Sequence, residues 1–402
     1  MKYIVLLGDG MADEPMAELD GRTPLQAART PRMDALAAGG ELGLACTVPE
    51  GYPPGSDVAN LSVFGYDPKC CYSGRSPLEA ASMGVKLAAT DVAFRMNLVT
   101  LEGAGPAARM AEFSAGHIGT AEAAELVTAL QARCGGQQFS FYPGVSYRHL
   151  LVWHDGCDAL SLMPPHDITE QPVGPHLPTD DARFAPLRQL MAEAHALFAD
   201  HPVNRARRAA GKPAATDVWF WGQGRAPSMV SHQDAYGITG GVISAVDLIR
   251  GIGLYAGLRV IPVPGATGYL DTNYRGKGEA ALAALADADY VYVHVEAPDE
   301  AAHGGLLQEK IAAIEAFDAL VVGTVVDGLD RLGPARLLVM PDHPTPVRLR
   351  THTRAPVPYI LYGTAGEYGP GSAAGYNEPA AAATGCFEAE GHHLMQRLMS
   401  GR

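Results

Sequence analysis

The chain has 402 residues, with 30 Lys and Arg against 44 Asp and Glu, a formal net charge of −14 at pH 7. That length suits two domains, or one large domain carrying an insertion, because single hydrophobic cores stop growing at roughly 250–300 residues. With 47% apolar and 18% charged residues the chain has ample core material and no signature of disorder, and its acidic balance disfavours polyanions, so neither nucleic acid nor an anionic membrane is expected as a partner.

In chain order, the opening MKYIVLLGDG predicts a strand over Tyr3 to Leu7, with Asp9 immediately after it. The apolar run is too short for a secretory signal, and no segment reaches the roughly 18 apolar residues of a membrane span. Cys46, Cys70, Cys71, Cys134, Cys157 and Cys386 show no metal spacing, which predicts reduced thiols in a cytoplasmic protein. Pro53 to Asn60 reads PPGSDVAN, where Gly and Pro force a turn and a helix begins near Ser56. Two readings of Ser56 stay open: it caps that helix, or, beside a divalent cation that eases loss of its proton, it is a nucleophile for phosphorus.

From about Ser76 to Gly240 the texture changes, with Pro and His scattered through it, all three Trp, and a basic run at Arg205 to Arg208. Helices are predicted over Thr120 to Arg133 and over Pro186 to Ala199, the second opening on a proline, and strands over Ser146 to Trp153 and Val218 to Trp221. Residues 77–239 therefore read as a second α/β domain inserted into a first one made of residues 1–76 and 240–402. The last part alternates again: helix Gly278 to Ala286, strand Tyr290 to Val295, helix Ile311 to Leu329, strand Arg336 to Met340, strand Val357 to Leu361, with the Ala-rich stretch Ala373 to Gly385 on the surface. Such alternation predicts an α/β fold with a mostly parallel sheet. The run GIGLYAG at Gly251 to Gly257 sits in a helical stretch and not between strand and helix, so it is not a dinucleotide loop, and no GxxxxGK[ST] occurs.

Acids and histidines follow the predicted strands. Asp9 follows the first, Asp299 and His303 the second in HVEAPDEAAHGG, Asp342 and His343 the third in VMPDHPTP, and His352 precedes the fourth in THTRAPVPYI. Strand ends of an open parallel sheet converge on one crevice, so three Asp and three His placed this way form a candidate metal-binding set. Oxygen and imidazole donors without thiolate suit Mn²⁺, Zn²⁺, Co²⁺ or Mg²⁺, and six ligands can hold two ions. Singly, each Asp is as readily a helix cap and each His a hydrogen-bonded core residue.

The blocks GDGMAD, TPLQAARTPRMDALAAGG, GSDVANLSVFGYDP, GRSPLEAASMGVKL, VISAVDLIRGIGLYAGLRVIPVPGATGYLDTNYRGK, APDEAAH, PDHPTPV and HTRAPVPYILYG together resemble the cofactor-independent phosphoglycerate mutases, in their archaeal-type branch, within the alkaline-phosphatase-like metalloenzymes. The resemblance implies an alkaline-phosphatase-like metal-binding domain holding two divalent ions, Mn²⁺ first with Mg²⁺, Zn²⁺ or Co²⁺ as alternatives. It implies that Asp9, Ser56, Asp342 and His343 hold one ion, that Asp299, His303 and His352 hold the other, and that Ser56 carries the phosphoryl group between the hydroxyls of a small phosphorylated metabolite. Candidate substrate contacts in the insertion are Arg148, Arg205 and Arg225, with His117 and the His166, Asp167 pair; Lys277 is a candidate for assisting the leaving oxygen. Each of these is equally readable as a solvated surface residue. Met96 to Gly116 and Pro164 to Thr179 match those mutases poorly, and the chain also resembles a bacterial subgroup proposed to be homoserine kinases, so phosphotransfer to another small molecule stands as the alternative, with a non-catalytic metal-binding protein as the third reading.

Overall fold

A computed structural model of the chain describes residues 1–402 except 104, 161 and 372. The described chain divides into two compact units, residues 1–72 with 228–402, and residues 73–227. Residues 228–239, assigned by sequence to the insertion, are tied to the first unit: the Tyr66 hydroxyl donates to Val230 O at 2.6 Å, and His232 Nε2 lies 3.0 Å from Phe64 O.

Strands β1 (Lys2–Gly8) and β2 (Glu41–Ala45) precede the second unit, which contributes β3 (Val92–Glu102), β4 (Arg109–Glu112), β5 (Phe139–Tyr142), β6 (Arg148–Trp153) and β7 (Asp217–Gly224). The first unit resumes with β8 (Gly240–Ile243), β9 (Arg259–Val260), β10 (Tyr290–Val295), β11 (Ala335–Met340), β12 (Val357–Gly363) and β13 (Phe387–Glu388). Its sheet has the order β13-β2-β12-β11-β1-β10-β8-β9. The expected mostly parallel sheet is present, with β11, β1, β10, β8 and β9 all parallel, but the fourth predicted strand, β12, runs antiparallel to both of its neighbours.

The pattern of β10, YVYVHV, explains how this sheet is covered. All six residues are buried, and side chains alternate between faces. Val291, Val293 and Val295 join Ile4, Leu6, Leu337 and Val339 against one helical layer, including Ala281 of helix Tyr274–Ala284 and Ile314 of helix Leu307–Ala316. Tyr290, Tyr292 and His294 point to the other face. There the Tyr292 ring stacks on Phe64 with centroids 3.9 Å apart, a contact worth about 0.5–1.5 kcal/mol beyond its buried area, which docks the helix Ser56–Val63 beside the strand ends.

The predicted helix Ile311 to Leu329 is one continuous ridge of different pitch: an α-helix to Ala316, a π-helical segment Phe317–Val322, and an α-helix Gly323–Gly328. The wider turn places buried Asp318 to accept the backbone N–H groups of Met33 at 2.7 Å and Arg32 at 3.2 Å. These are orphan donors at the start of helix Pro31–Gly39, whose own N-cap, Thr30, makes no capping bond.

The second unit is α/β as expected, but its sheet is antiparallel throughout: β3 pairs with β4, β6 and β7, and β6 with β5. Helices Thr120–Cys134 and Ala185–Ala199 pack Leu126, Leu130, Leu187 and Phe198 onto Phe94, Met96, Leu151 and Phe220 of that sheet.

Candidate metal centre

The register of the first sheet brings three adjacent strand ends level, with Gly8 beside Val295 and Leu7 beside Met340. The residues just beyond are therefore neighbours: Asp9 after β1, Glu296 and Asp299 after β10, Asp342 and His343 after β11. Asp9, Asp342 and His343 are wholly buried, and their ligand atoms come within 4.8 Å of one another. Asp299, His343 and His352 form a second such group, and Asp9, His294 and Glu296 a third. His303 stands one turn after Asp299 on helix Ala297–His303, with its Nε2 3.2 Å from Asp299 Oδ2 and 2.8 Å from His352 Nε2. All six Asp and His residues predicted from sequence meet here.

Ser56 opens the helix Ser56–Val63 without capping it. Gly55 occupies the cap position, and the Ser56 hydroxyl lies 3.1 Å from His343 Nε2. Asn60, one turn on, fixes this geometry: its Nδ2 donates to Ser56 O at 2.9 Å and to Asp342 Oδ2 at 2.8 Å, while its Oδ1 accepts from the Tyr292 hydroxyl at 2.6 Å. The nucleophile candidate, a carboxylate and the sheet are thus locked together by one amide.

The donor set fits divalent cations. Asp9 Oδ1 is buried with no hydrogen-bond partner, and so is Glu296 Oε2. Burial, with Asp342 and Glu296 adding repulsion, holds the Asp9 carboxyl well above its usual range; burial, with Asp299, pushes Glu296 up to about 8. For Asp299 burial acts the same way, but hydrogen bonds from His303 and His352 outweigh it and hold the carboxyl well below its usual range. Four carboxylates this close repel one another unless protons or cations intervene, and hard oxygen with imidazole nitrogen is the donor mix that oxygen-preferring dications take.

In the second unit the candidates separate into two groups. His117, Arg148 and His166 gather around aromatic rings: Phe113 lies 6.3 Å from His117, 5.7 Å from Tyr147 and 6.1 Å from His166, and the Arg148 guanidinium sits 5.6 Å from the Tyr147 ring. Asp167 Oδ1 is 3.7 Å from His166 Nε2. Two residues not singled out from sequence belong here: Arg95 lies 4.7 Å over the Trp221 ring, and Arg75 and Arg95 share the Glu79 carboxylate at 2.8 and 2.7 Å. Arg225 is engaged elsewhere, with Asp158 and the carbonyls of Thr90 and Gly156, as is Arg205, with Asp200.

A family model described as 2,3-bisphosphoglycerate-independent phosphoglycerate mutase matches residues 37–204. A protein of Geobacter sulfurreducens named as a probable 2,3-bisphosphoglycerate-independent phosphoglycerate mutase is 57% identical, over 99% of this chain and 100% of its own length. The chain belongs to the 2,3-bisphosphoglycerate-independent phosphoglycerate mutase family. The Methanosarcina acetivorans member is 53% identical over 90% of this chain and 91% of its own. Among solved structures, a Pyrococcus horikoshii protein superposes with a TM-score of 0.83 at 28% identity, covering 100% of this chain and 98% of that one, and the cofactor-independent phosphoglycerate mutase of Thermoplasma acidophilum with 0.68 at 26%, covering 100% and 99%.

Within this member of the mutase family, sequence reasoning missed His294, Glu296, Asn60 and Thr345. One signal was present: a histidine inside the otherwise apolar, fully buried β10 needs a partner, and His294 Nε2 meets Asp9 Oδ2 at 2.9 Å. Lys277 is no surface lysine. It is wholly buried on helix Tyr274–Ala284, donates to His294 O at 2.9 Å, and burial lowers its pKa to about 8 against the opposing pull of Glu296. A lysine within reach of that carboxylate's field sets a cation beside the acidic centre.

Proposed function

We propose that this chain interconverts 2-phosphoglycerate and 3-phosphoglycerate, a step of glycolysis and gluconeogenesis, through a phosphoserine on Ser56. The observation that carries the reading is the Ser56 hydroxyl at the start of a helix, 3.1 Å from His343, within a buried group of Asp9 and Asp342. Relatives at 57% and 53% identity that carry the mutase name favour this substrate over homoserine.

Asp9, Ser56, Asp342 and His343 would hold one divalent ion, and Asp299, His303 and His352 a second, with Mn²⁺ the first choice; such ions supply Lewis-acid charge for a transferring phosphoryl group. The chain's own residues do the rest. The Ser56 Oγ–P bond forms as the bond from phosphorus to the glycerate oxygen breaks, the serine giving up its hydroxyl proton and the freed glycerate oxygen taking one. The reverse displacement by the neighbouring glycerate hydroxyl, which loses its proton as Ser56 Oγ regains one, returns the phosphoryl group, so no water and no second phosphate donor is consumed. Asn60 holds the Ser56 turn against Asp342, which keeps the attacking oxygen in place. Lys277, held on His294 O, contributes positive charge on the sheet side of the acidic group, within the field of Glu296, and is the candidate for assisting the leaving oxygen. Within the second unit, Arg148 with Arg75 and Arg95 are the groups suited to a carboxylate, and His117 and His166 those suited to hydroxyls, because a planar guanidinium matches a carboxylate bidentately. The described cysteines are unpaired, as suits the cytoplasm, and no described helix is long and apolar enough to cross a membrane.

The test is ³¹P NMR of the Mn²⁺-loaded protein with 3-phosphoglycerate and no bisphosphoglycerate. Appearance of 2-phosphoglycerate, with mass-spectrometric capture of phosphate on Ser56, is expected. No interconversion, together with ATP-dependent phosphorylation of homoserine, would overturn it.

A further inference from the structure

The geometry points to Thr345 as the positioning residue that sets which nitrogen of His343 carries the proton and joins the two cation groups through one hydroxyl. Its catalytic consequence rests on the metal-dependent reading above, but the proton arrangement is a property of the chain alone. Thr345 is wholly buried. Its Oγ1 lies 2.5 Å from Asp299 Oδ1 and 3.2 Å from His343 Nδ1. A hydroxyl has one proton to give, and an ionised carboxylate can only accept, so the proton goes to Asp299. What Thr345 turns to His343 is then a lone pair, and Nδ1 must be the nitrogen that bears hydrogen.

The other ring nitrogen makes this assignment matter. His343 Nε2 faces Ser56 Oγ at 3.1 Å, Asp342 Oδ2 at 3.3 Å and Asp9 Oδ1 at 3.6 Å. Two of those three are carboxylate oxygens, which by themselves would draw the ring proton to Nε2 and block the nitrogen that has to be bare to bind a cation. The Thr345 lone pair holds the proton on the far side, leaving Nε2 open to the Ser56 hydroxyl and to a metal. Because the same hydroxyl orients Asp299, a ligand of the other group, losing it disturbs both groups at once.

Thr345 is held in this position from three directions. Its carbonyl accepts from buried Lys310 Nζ at 2.9 Å, its N–H donates to Ala12 O at 3.2 Å, and Gly10 leaves room for the hydroxyl–carboxylate pair. At Gly10, φ is +61°, and a Cβ would stand 2.6 Å from both Asp299 Oδ1 and Thr345 Oγ1. The second glycine of the GDG run is therefore required by this hydrogen bond as well as by its turn.

Long-range ¹H–¹⁵N correlation on metal-free protein labelled with ¹⁵N-histidine, at pH 8, reads the proton directly, with the His343 signals identified by their loss in His343→Gln. Expected in the unsubstituted protein is a protonated Nδ1 and a bare Nε2. Thr345→Val is expected to move the proton to Nε2 and to weaken calorimetric Mn²⁺ binding about 10–100-fold, the usual cost of losing a metal ligand's hydrogen-bond partner, while Thr345→Ser restores both. A bare Nδ1 in the unsubstituted protein overturns the inference, as does a folded Thr345→Val that keeps the original proton pattern and Mn²⁺ affinity, or a folded Thr345→Ser that restores neither. The expected spectrum from a protein without mutase activity would sink the functional reading and leave this one standing.

Discussion

Lys310 offers a sharp energetic test of the first unit. Its ammonium is wholly buried and spends its three protons on Asp13 Oδ2 at 2.8 Å, Thr345 O at 2.9 Å and Ala12 O at 3.2 Å, joining the segments that follow β1 and β11 to helix Leu307–Ala316. Lys310→Met keeps the aliphatic stem but takes the cation from the Asp13 carboxylate, whose side chain is 1% exposed and keeps only the backbone N–H groups of Glu14 and Val347, and it leaves the Thr345 carbonyl without its donor. Breaking one side of a buried ion pair costs about 3–5 kcal/mol, and a loss of about 4 kcal/mol corresponds to roughly 8–16 °C in Tm for a unit of this size. Adding Asp13→Asn removes the stranded charge, so the double variant should be more stable than Lys310→Met alone. All three tryptophans, Trp153, Trp219 and Trp221, lie in residues 73–227, so their emission reports on the wrong unit. The assay is hydrogen exchange of the β1, β10 and β11 peptides across a urea series. A loss below about 1 kcal/mol for Lys310→Met, or a double variant showing the full sum of both single losses, would refute the argument that the pair is a coupled, desolvated unit.

Ser56→Ala should abolish phosphoenzyme formation and lower turnover by at least about 10³-fold while leaving Mn²⁺ content unchanged by elemental analysis to within a factor of two, since a nucleophile cannot be replaced by a methyl group. Chelator treatment should lower the thermal midpoint and Mn²⁺ should restore it, with stabilisation of about 2.7 kcal/mol per site at 100 times Kd; Asp9→Asn should lose most of that cation-dependent gain in differential scanning fluorimetry. Burial lowers His149 to about 4, so below its ordinary value of 6.5 the unfolded chain binds a proton that the folded one does not. Its contribution is therefore complete above pH 6.5 and is lost as pH falls toward 4, by up to about 3 kcal/mol. The urea midpoint read by tryptophan emission should accordingly fall between pH 7 and pH 5, and fall less in His149→Gln; an equal fall in both would count against a buried neutral histidine.

The candidate metal-binding residues were legible because their chemistry is carried by residue type and their position by a local rule: an acid or histidine just past an apolar run sits at a strand end, whatever its distance in sequence from the next. The four predicted strands of the first unit and the two long helices of the second follow from periodicity in the same way. Four strands of its sheet, β2, β8, β9 and β13, escaped because each is five residues or fewer and β8 begins with two glycines. The direction of β12 escaped too, since a buried apolar strand reads alike in a parallel and an antiparallel pairing.

By itself, then, the sequence determined an α/β chain with an inserted segment, six Asp and His residues placed to meet at the strand ends and a serine at a helix start. What only the tertiary structure decided were the roles of residues whose meaning lies in a distant partner. Asn60 depends on Asp342 and Tyr292, Lys310 on Asp13, and Lys277 on β10; Ser56 became a candidate nucleophile, and not a cap, once His343 stood against its hydroxyl. A lysine or an asparagine is solvated or structural according to burial and to the charge it faces, and those are properties of packing across hundreds of residues, which no local pattern encodes.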